Sequence, residues 1–190
     1  EGIAVGLSTK ILPHNFNELL DASVAILEER PFELYPDFPQ GGIADVSAYA
    51  DGVRGGKVRV RSRIRVADKS TLIIDEIPYG TTSASLIESI LKANDKGKIK
   101  IKRVDDNTAQ KVEIVIHLAA GISPDKTIDA LYAFTDCEVS ISPLTCVIKD
   151  EKPVFIGVSE ILRYSTARTQ EMLRAELQVK LDELQSKWHT

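Results

Sequence analysis

The chain has 190 residues, 43% of them hydrophobic and 27% charged, with a net charge of −4: enough for one domain plus an extension, with the balance of an ordinary globular protein. No apolar run approaches a membrane span, and the first residues lack the basic and apolar regions of a signal peptide. Two cysteines (Cys137, Cys146) are too few for a disulfide scaffold, and His14, His117 and His189 make no ligand spacing with them, which points to a cytoplasmic chain without a metal centre.

The chain opens on "EGIAVGLSTKILPHNF", an apolar run too short and too glycine-rich for a buried helix, and its start at Glu1 reads as a cut from something longer. Asn15 followed by Glu18 has the logic of a capping box, and Phe16, Leu19, Leu20, Ile26 and Leu27 give a helical stripe to about Glu29. Pro31, Pro36, Pro39 and Gly41-Gly42 punctuate a loop, and a short helical stretch is expected around Asp45 to Ala50. "GVRGGKVRVRSRIRV" and "STLIIDEIPYG" read as two strands separated by a turn near Asp68 to Ser70. Leu86, Ile87, Ile90 and Leu91 mark a helix over 83–94. "KGKIKIKRV" and "QKVEIVIHLA" read as two more strands, joined by a turn at Asp105-Asp106-Asn107. Ser123-Pro124 opens a helix to about Phe134 as N-cap and first helical residue. A mostly extended stretch then runs to Phe155, and Ser159 caps a helix that continues to Thr190. Along that helix Leu173, Leu177, Leu181, Leu184 and Trp188 recur every three or four residues, an apolar seam of coiled-coil type. The expected fold is α+β: one antiparallel sheet of about four strands packed with helices over residues 1–158, then the start of a long coiled-coil helix over 159–190.

The charge is unevenly spread. Residues 1–50 carry eight acids against Lys10 and Arg30, whereas residues 52–66 carry six bases and no acid. Lys57, Arg59, Arg61, Arg63 and Arg65 alternate with Val58, Val60, Ser62, Ile64 and Val66, so a single strand puts all five cations on one face. Lys98, Lys100 and Lys102 repeat the pattern with Ile99 and Ile101. Such a face suits a polyanion; it is equally the pattern of a solvated face or of an edge guarded by charge. "DGVRGG" (51–56) offers backbone amides yet matches neither a phosphate-binding loop nor a dinucleotide fingerprint, and reads as a turn. Asp75, Glu76 and Glu113 are read as acids balancing the basic strands, and both cysteines as core thiols whose spacing leaves a meeting in space open.

Four segments go further. "GIAVGLSTKILPHN" (2–15) closely resembles the Gly-Ile-Ala-Val-Gly-Met-Ala-Thr-x-Ile-Pro-Pro-His-Asn segment of bacterial type IIA topoisomerase A subunits, those of gyrase and topoisomerase IV. In the same order, "PDFPQGG" (36–42), the alternating basic run and "LIIDEIPYGTTSASLIESI" (72–90) are similar to segments of that family, and the resemblance spans essentially the whole chain. It implies the tower domain (1–158) leading into the coiled-coil arm (159–190), which holds the flanks of a sharply bent gate duplex. It also implies that Ile3 is a wedge inserted between base pairs from the minor groove, with Gly2 and Gly6 letting the backbone come close to DNA. On this basis the duplex-contacting residues are Gly2, Ile3, Lys10, His14, Arg54, Lys57, Arg59, Arg61 and Arg63. The family's nucleophilic tyrosine lies upstream, so "LRYSTART" (162–169) is a decoy and Tyr164 a packing residue. No cofactor is expected in this segment; ATP and Mg2+ belong to the partner B subunit, and a second A subunit completes the enzyme in the cytoplasm, at the nucleoid. Leu12 in place of a family proline, Leu7-Ser8 in place of Met-Ala, and Gly80-Thr81 in place of Gln-Val mark a divergent member, read as nearer to topoisomerase IV than to gyrase. The reading from another class is a stand-alone nucleic-acid-binding structural module without a catalytic context.

Overall fold

The computed structural model describes residues 1–189; Thr190, the last residue of the predicted arm helix, lies outside the described residues. In chain order the elements are β1 (Gly2–Ala4), β2 (Leu7–Thr9), α1 (Phe16–Leu27), β3 (Ile43–Asp45), a short 3-10 turn (Ala50–Gly52), β4 (Val58–Arg61), β5 (Arg63–Asp68) and β6 (Thr71–Glu76). There follow α2 (Ser83–Asp95), β7 (Ile101–Asp106), β8 (Ile114–Leu118), α3 (Pro124–Phe134), β9 (Glu138–Ile141), β10 (Cys146–Lys149), β11 (Lys152–Phe155) and α4 (Val158–Trp188). The α+β class, the antiparallel pairing and the long final helix agree with the sequence reading. Two compact units result, one built from 1–37, 50–55 and the residues from Pro143 onward, the other from 38–49 and 56–142.

The second unit holds the larger core. Its four-stranded sheet runs β5-β6-β8-β7, and every neighbouring pair is antiparallel. Alternation decides which face is buried: Leu72 and Ile74 on β6, and Ile114, Ile116 and Leu118 on β8, point one way. They meet Leu86, Ile90 and Ala93 of α2 and Leu131 of α3 in one cluster with Cys137. Fully burying each Leu or Ile contributes about 1.5–3 kcal/mol, so this cluster dominates the unit's stability. Thr82 starts α2 by accepting the Ser85 N–H at 3.1 Å while Ser85 Oγ accepts the Thr82 N–H at 3.0 Å, a reciprocal capping box. α3 begins after Ser123 with Pro124 in its first turn, as the sequence predicts, although the Ser123 side chain makes no capping hydrogen bond.

Three expectations in this unit are corrected. Around Asp45 the chain is a strand, β3, paired with β4, rather than a helix; the only helical geometry nearby is the 3-10 turn. The basic run is two strands in two sheets, not one. β4 sits in the middle of the three-stranded sheet β3-β4-β9, and β5 is the edge of the four-stranded sheet. Between them Ser62 is fully buried: its N–H donates to the Cys137 carbonyl at 2.7 Å and its carbonyl accepts the Tyr132 hydroxyl at 2.9 Å. Those two bonds leave the sheet ladder but keep the alternation, so Arg59, Arg61, Arg63 and Arg65 remain exposed. Likewise β7 starts only at Ile101, so of the predicted lysine series Lys102 alone lies within the strand.

The first unit is a helix pair flanked by two hairpins. Asn15 Oδ1 accepts the N–H groups of Asn17 (2.9 Å) and Glu18 (3.2 Å), fixing the start of α1 where the sequence places it. Ala22 of α1 packs with Leu34 and Val158, joined by Leu19, Phe32 and Leu162. The start of α4 departs from expectation. Gly157 is its N-cap residue, and Ser159 is capped from afar: its N–H and hydroxyl both donate to the Asp51 carboxylate, the hydroxyl at 2.8 Å. Beyond its first turns α4 is solvated, with Leu173, Leu177, Leu181, Leu184 and Trp188 all exposed.

Candidate nucleic-acid interface

Residues 2–9 form a two-stranded hairpin with register Gly2↔Thr9, Ile3↔Ser8 and Ala4↔Leu7, leaving Val5-Gly6 as the turn. Gly6 sits at φ +74°, which answers why a glycine stands there: the turn needs a left-handed residue. Gly2 has a different reason, since a Cβ there would come within 3.2 Å of Thr9 Cγ2. The apolar side chains of the hairpin are not in any core: Ile3, in its middle pair, is 87% exposed, and Val5, in the turn, is fully exposed. The base of the hairpin is anchored: Lys10 exchanges two backbone hydrogen bonds with Leu144 at 2.7 and 3.0 Å, and Thr9 Oγ1 accepts the Cys146 N–H at 3.1 Å. An exposed apolar tip therefore stands on a fixed base. Of the other residues assigned to DNA in this unit, Lys10 is half-buried, and His14 is held by its Nδ1 on the Leu12 carbonyl at 2.8 Å. Arg54 is exposed in the loop after the 3-10 turn.

Lys57, Arg59, Arg61 and Arg63 belong to the other unit, and most of their charge is already answered. Asp45 stands opposite Arg59 in the β3–β4 register and takes its Nη2 at 2.8 Å. The Asp45 carboxyl is held well below the usual carboxylate range, first by the Arg59 hydrogen bond and then by those from Ser47. Glu138 stands opposite Arg61 and accepts from its Nε, while the Arg61 guanidinium lies 5.0 Å from the Tyr132 ring centroid. Asp75 on β6 faces both Arg63 (3.9 Å) and Arg65 (3.5 Å), as the sequence predicts for an acid balancing the basic strand. Glu76 does something else: it accepts the Gly42 N–H at 2.8 Å. The room for that carboxylate explains Gly41-Gly42, since a Cβ on Gly41 would sit 2.6 Å from Glu76 Cδ. Glu113 lines the same open groove as Arg63, Arg65 and Asp75. Sequence reasoning missed Asp45 and Glu138 as arginine partners. The signal was there in "IAD" and "CEVSI", short alternating runs that bring an acid opposite each arginine once paired with β4.

Both cysteines are free thiols. Cys137 is buried, and that burial pushes its pKa up to about 11, the reverse of an activated nucleophile. Tyr164, read from the sequence as a packing residue, is exposed and carries the Lys149 ammonium 5.0 Å over its ring. Among the described residues no three His, Cys, Asp or Glu side chains are grouped to hold a metal ion. Among the described residues no helix is long and apolar enough to cross a membrane.

The whole chain, residues 1–190, matches the family model for the A subunits of DNA gyrase and topoisomerase IV. The chain belongs to the DNA gyrase/topoisomerase IV A-subunit family. It is 42% identical over 187 residues to the DNA topoisomerase 4 A subunit of Borreliella burgdorferi, covering 98% of this chain and 30% of that protein. It is 30% identical to the DNA gyrase A subunit of Lawsonia intracellularis and 32% identical to that of Dehalogenimonas lykanthroporepellens, in each case over 99% of this chain and 25% of the relative. The chain thus spans between a quarter and a third of the length of the type IIA topoisomerase A subunits it matches. The family is an isomerase family that changes DNA topology.

Proposed function

We propose that this chain is the DNA-gripping and DNA-bending part of an ATP-dependent type IIA topoisomerase, topoisomerase IV in preference to gyrase, and that it holds the gate duplex while a second duplex passes. The observation that carries this reading is Ile3: a large apolar side chain 87% exposed on the first strand of an anchored hairpin, in a family whose substrate is DNA. An apolar wedge between two base pairs costs a few kcal/mol of unstacking, and the bent duplex then meets more protein surface. Burying Ile3 between bases contributes about 1.5–3 kcal/mol in return. The higher identity to the topoisomerase 4 protein than to the gyrase proteins supports the choice between the two enzymes. On this reading residues 1–158 form the tower and 159–190 the start of the arm, whose exposed leucine seam awaits a returning helix.

The chemistry of strand breakage belongs elsewhere in the holoenzyme. The nucleophilic tyrosine lies in an upstream segment, and ATP and Mg2+ act in the partner B subunit; a second A subunit completes the gate, in the bacterial cytoplasm at the nucleoid, for chromosome segregation. The chain alone then binds duplex DNA and cuts none. We expect a labelled duplex of about two turns to bind it with an affinity that falls steeply with salt, as phosphate neutralisation requires. Supercoiled plasmid incubated with the chain, Mg2+ and ATP stays intact. No duplex binding at 50 mM salt, or nicking that survives purification and tracks with the chain, contradicts the proposal.

A further inference from the structure

The arginines of β4 and β5 are matched by acids, yet the second unit carries another run of cations that is not. Residues 92–103 contain Lys92, Lys96, Lys98, Lys100, Lys102 and Arg103 against the single acid Asp95, in a chain whose net charge is −4. Lys92 is paired with Glu88 at 2.7 Å and Arg103 with Asp105 at 3.3 Å. Among the described residues Lys96, Lys98, Lys100 and Lys102 have no ion-pair partner, and neither does Lys126 at the first turn of α3.

These lysines stand on a rigid edge. Ile99 and Ile101, which alternate with them, are buried in the core beside Ala93 and Leu118. The Lys98 N–H donates to the Ala93 carbonyl at 3.0 Å, and the Ile101 N–H to Asn94 Oδ1 at 3.2 Å. The backbone between α2 and β7 is thereby pinned, and the lysine side chains are left pointing outward. Two open grooves share Lys98: one lies between Lys96, Lys98 and Phe134, the other between Lys98, Lys100 and Lys126 at the N-terminal end of α3. Phe134 is exposed, with the Lys98 ammonium 5.2 Å from its ring centroid. The acids lining the first groove are Glu88, already paired, and Asp136, beside Lys92; Asp95 and Asp125 adjoin Lys96 and Lys126 in sequence but make no ion pair with them.

We infer that this lysine corner, Lys96, Lys98, Lys100 and Lys126, is the principal phosphate-backbone contact of its unit, and that the arginine row of β4 and β5 is not. The inference rests on the duplex-holding reading above and moves the contact to a different face. An arginine that must first release a carboxylate gains little from a phosphate, because one charge-assisted hydrogen bond replaces another. An unpaired lysine on the surface gives the full counterion-release effect, and lysine contacts of this kind position the protein without reading sequence.

The test is a salt titration of the 190-residue chain with a labelled 20-base-pair duplex between 50 and 200 mM salt. Changing Lys96, Lys98 and Lys100 to Gln removes three contacts, and the slope of log K against log salt is expected to fall by about 2.7, at roughly 0.9 per contact. Over that fourfold salt range the unmodified chain then loses about 40-fold more affinity than the variant. Changing Arg59 and Arg61 to Gln is expected to lower the slope by less than one. All five side chains are exposed, so both variants keep the fold, which a matched far-UV spectrum and urea midpoint verify. If the unmodified chain binds and the lysine variant retains its slope while the arginine variant loses it, the inference is overturned and the duplex reading stands. Should the unmodified chain fail to bind at 50 mM salt, both fall together. Equal binding of polyglutamate, at the same slope, overturns the assignment to DNA in favour of an acidic protein segment.

Discussion

Replacing Asp51 by Ala tests how α4 is started. Asp51 lies in the left-handed region (φ 54°, ψ 28°), and its carboxylate accepts the Ser159 N–H at 3.1 Å and the Ser159 hydroxyl at 2.8 Å. Losing an N-terminal cap costs about 1 kcal/mol, and a carboxylate near the positive end of the helix dipole adds about 0.3–1 kcal/mol. Asp51 already carries the Cβ that crowds the following carbonyl in the left-handed region, so alanine adds no new backbone penalty while glycine relieves about 1 kcal/mol. The expected total is about 1–2 kcal/mol, with Asp51→Gly losing about 1 kcal/mol less than Asp51→Ala, since glycine carries no left-handed penalty. Gly157 supplies a second arm. A Cβ there would overlap Asp51 Oδ2 and lie 3.0 Å from its Cγ, so Gly157→Ala expels the carboxylate and costs about 1–3 kcal/mol by overpacking. In the Asp51→Ala background the carboxylate clash is gone and only the 3.2 Å approach to the residue 51 carbonyl oxygen remains, so the second substitution is expected to cost less, a coupling of about 1 kcal/mol or more. Amide hydrogen exchange of Ser159, Glu160 and Ile161 reads the effect locally, a tenfold loss of protection per roughly 1.4 kcal/mol. Unchanged protection in Asp51→Ala, or strict additivity of the two substitutions, would refute the reasoning.

Further predictions concern chemistry and turns. Cys137 should resist alkylation in the folded chain at pH 8 while Cys146, only half-buried, reacts; equal rates would contradict the burial of Cys137. Because burial raises the Cys137 pKa from 9.0 to about 11, the unfolded chain ionises first; stability is full below pH 9 and declines between 9 and 11. Cys137→Ala is expected to flatten that window relative to the parent in urea midpoints measured across it. In the β10–β11 turn Asp150 (φ 50°) and Glu151 (φ 64°) are both left-handed, so Glu151→Gly is expected to stabilise the chain by about 1 kcal/mol, seen as a higher urea midpoint. A lower midpoint would show that this turn is not under strain.

What was legible in the sequence was local. Asn15 announces α1 because its own side chain caps it, and Leu72, Ile74, Ile114 and Ile116 announce their strands by alternation. The errors arise where a distant segment decides. Ser62 is small and buried, so period-two alternation runs straight through the point where the chain leaves one sheet for another. Nothing near Ser159 reveals that Asp51, 108 residues earlier, caps α4. The arginine row was legible as charge but not as paired charge, because Asp45 and Glu138 come from strands on either side. The hairpin itself was not legible: the resemblance singled out Ile3 and its glycines for DNA, whereas in the structure those glycines serve the turn and the strand pairing.

If Ile3 bends DNA, the end-to-end distance of a bound duplex shows it. A 30-base-pair duplex labelled at both ends with a donor and an acceptor is titrated with the chain and with Ile3→Ala. Ile3 is 87% exposed, so the substitution leaves the fold unchanged. The account predicts rising energy transfer with the unmodified chain, and with the variant continued binding but a transfer close to that of free duplex. A variant that bends the duplex as strongly as the parent, or a parent that binds and leaves it straight, contradicts the claim.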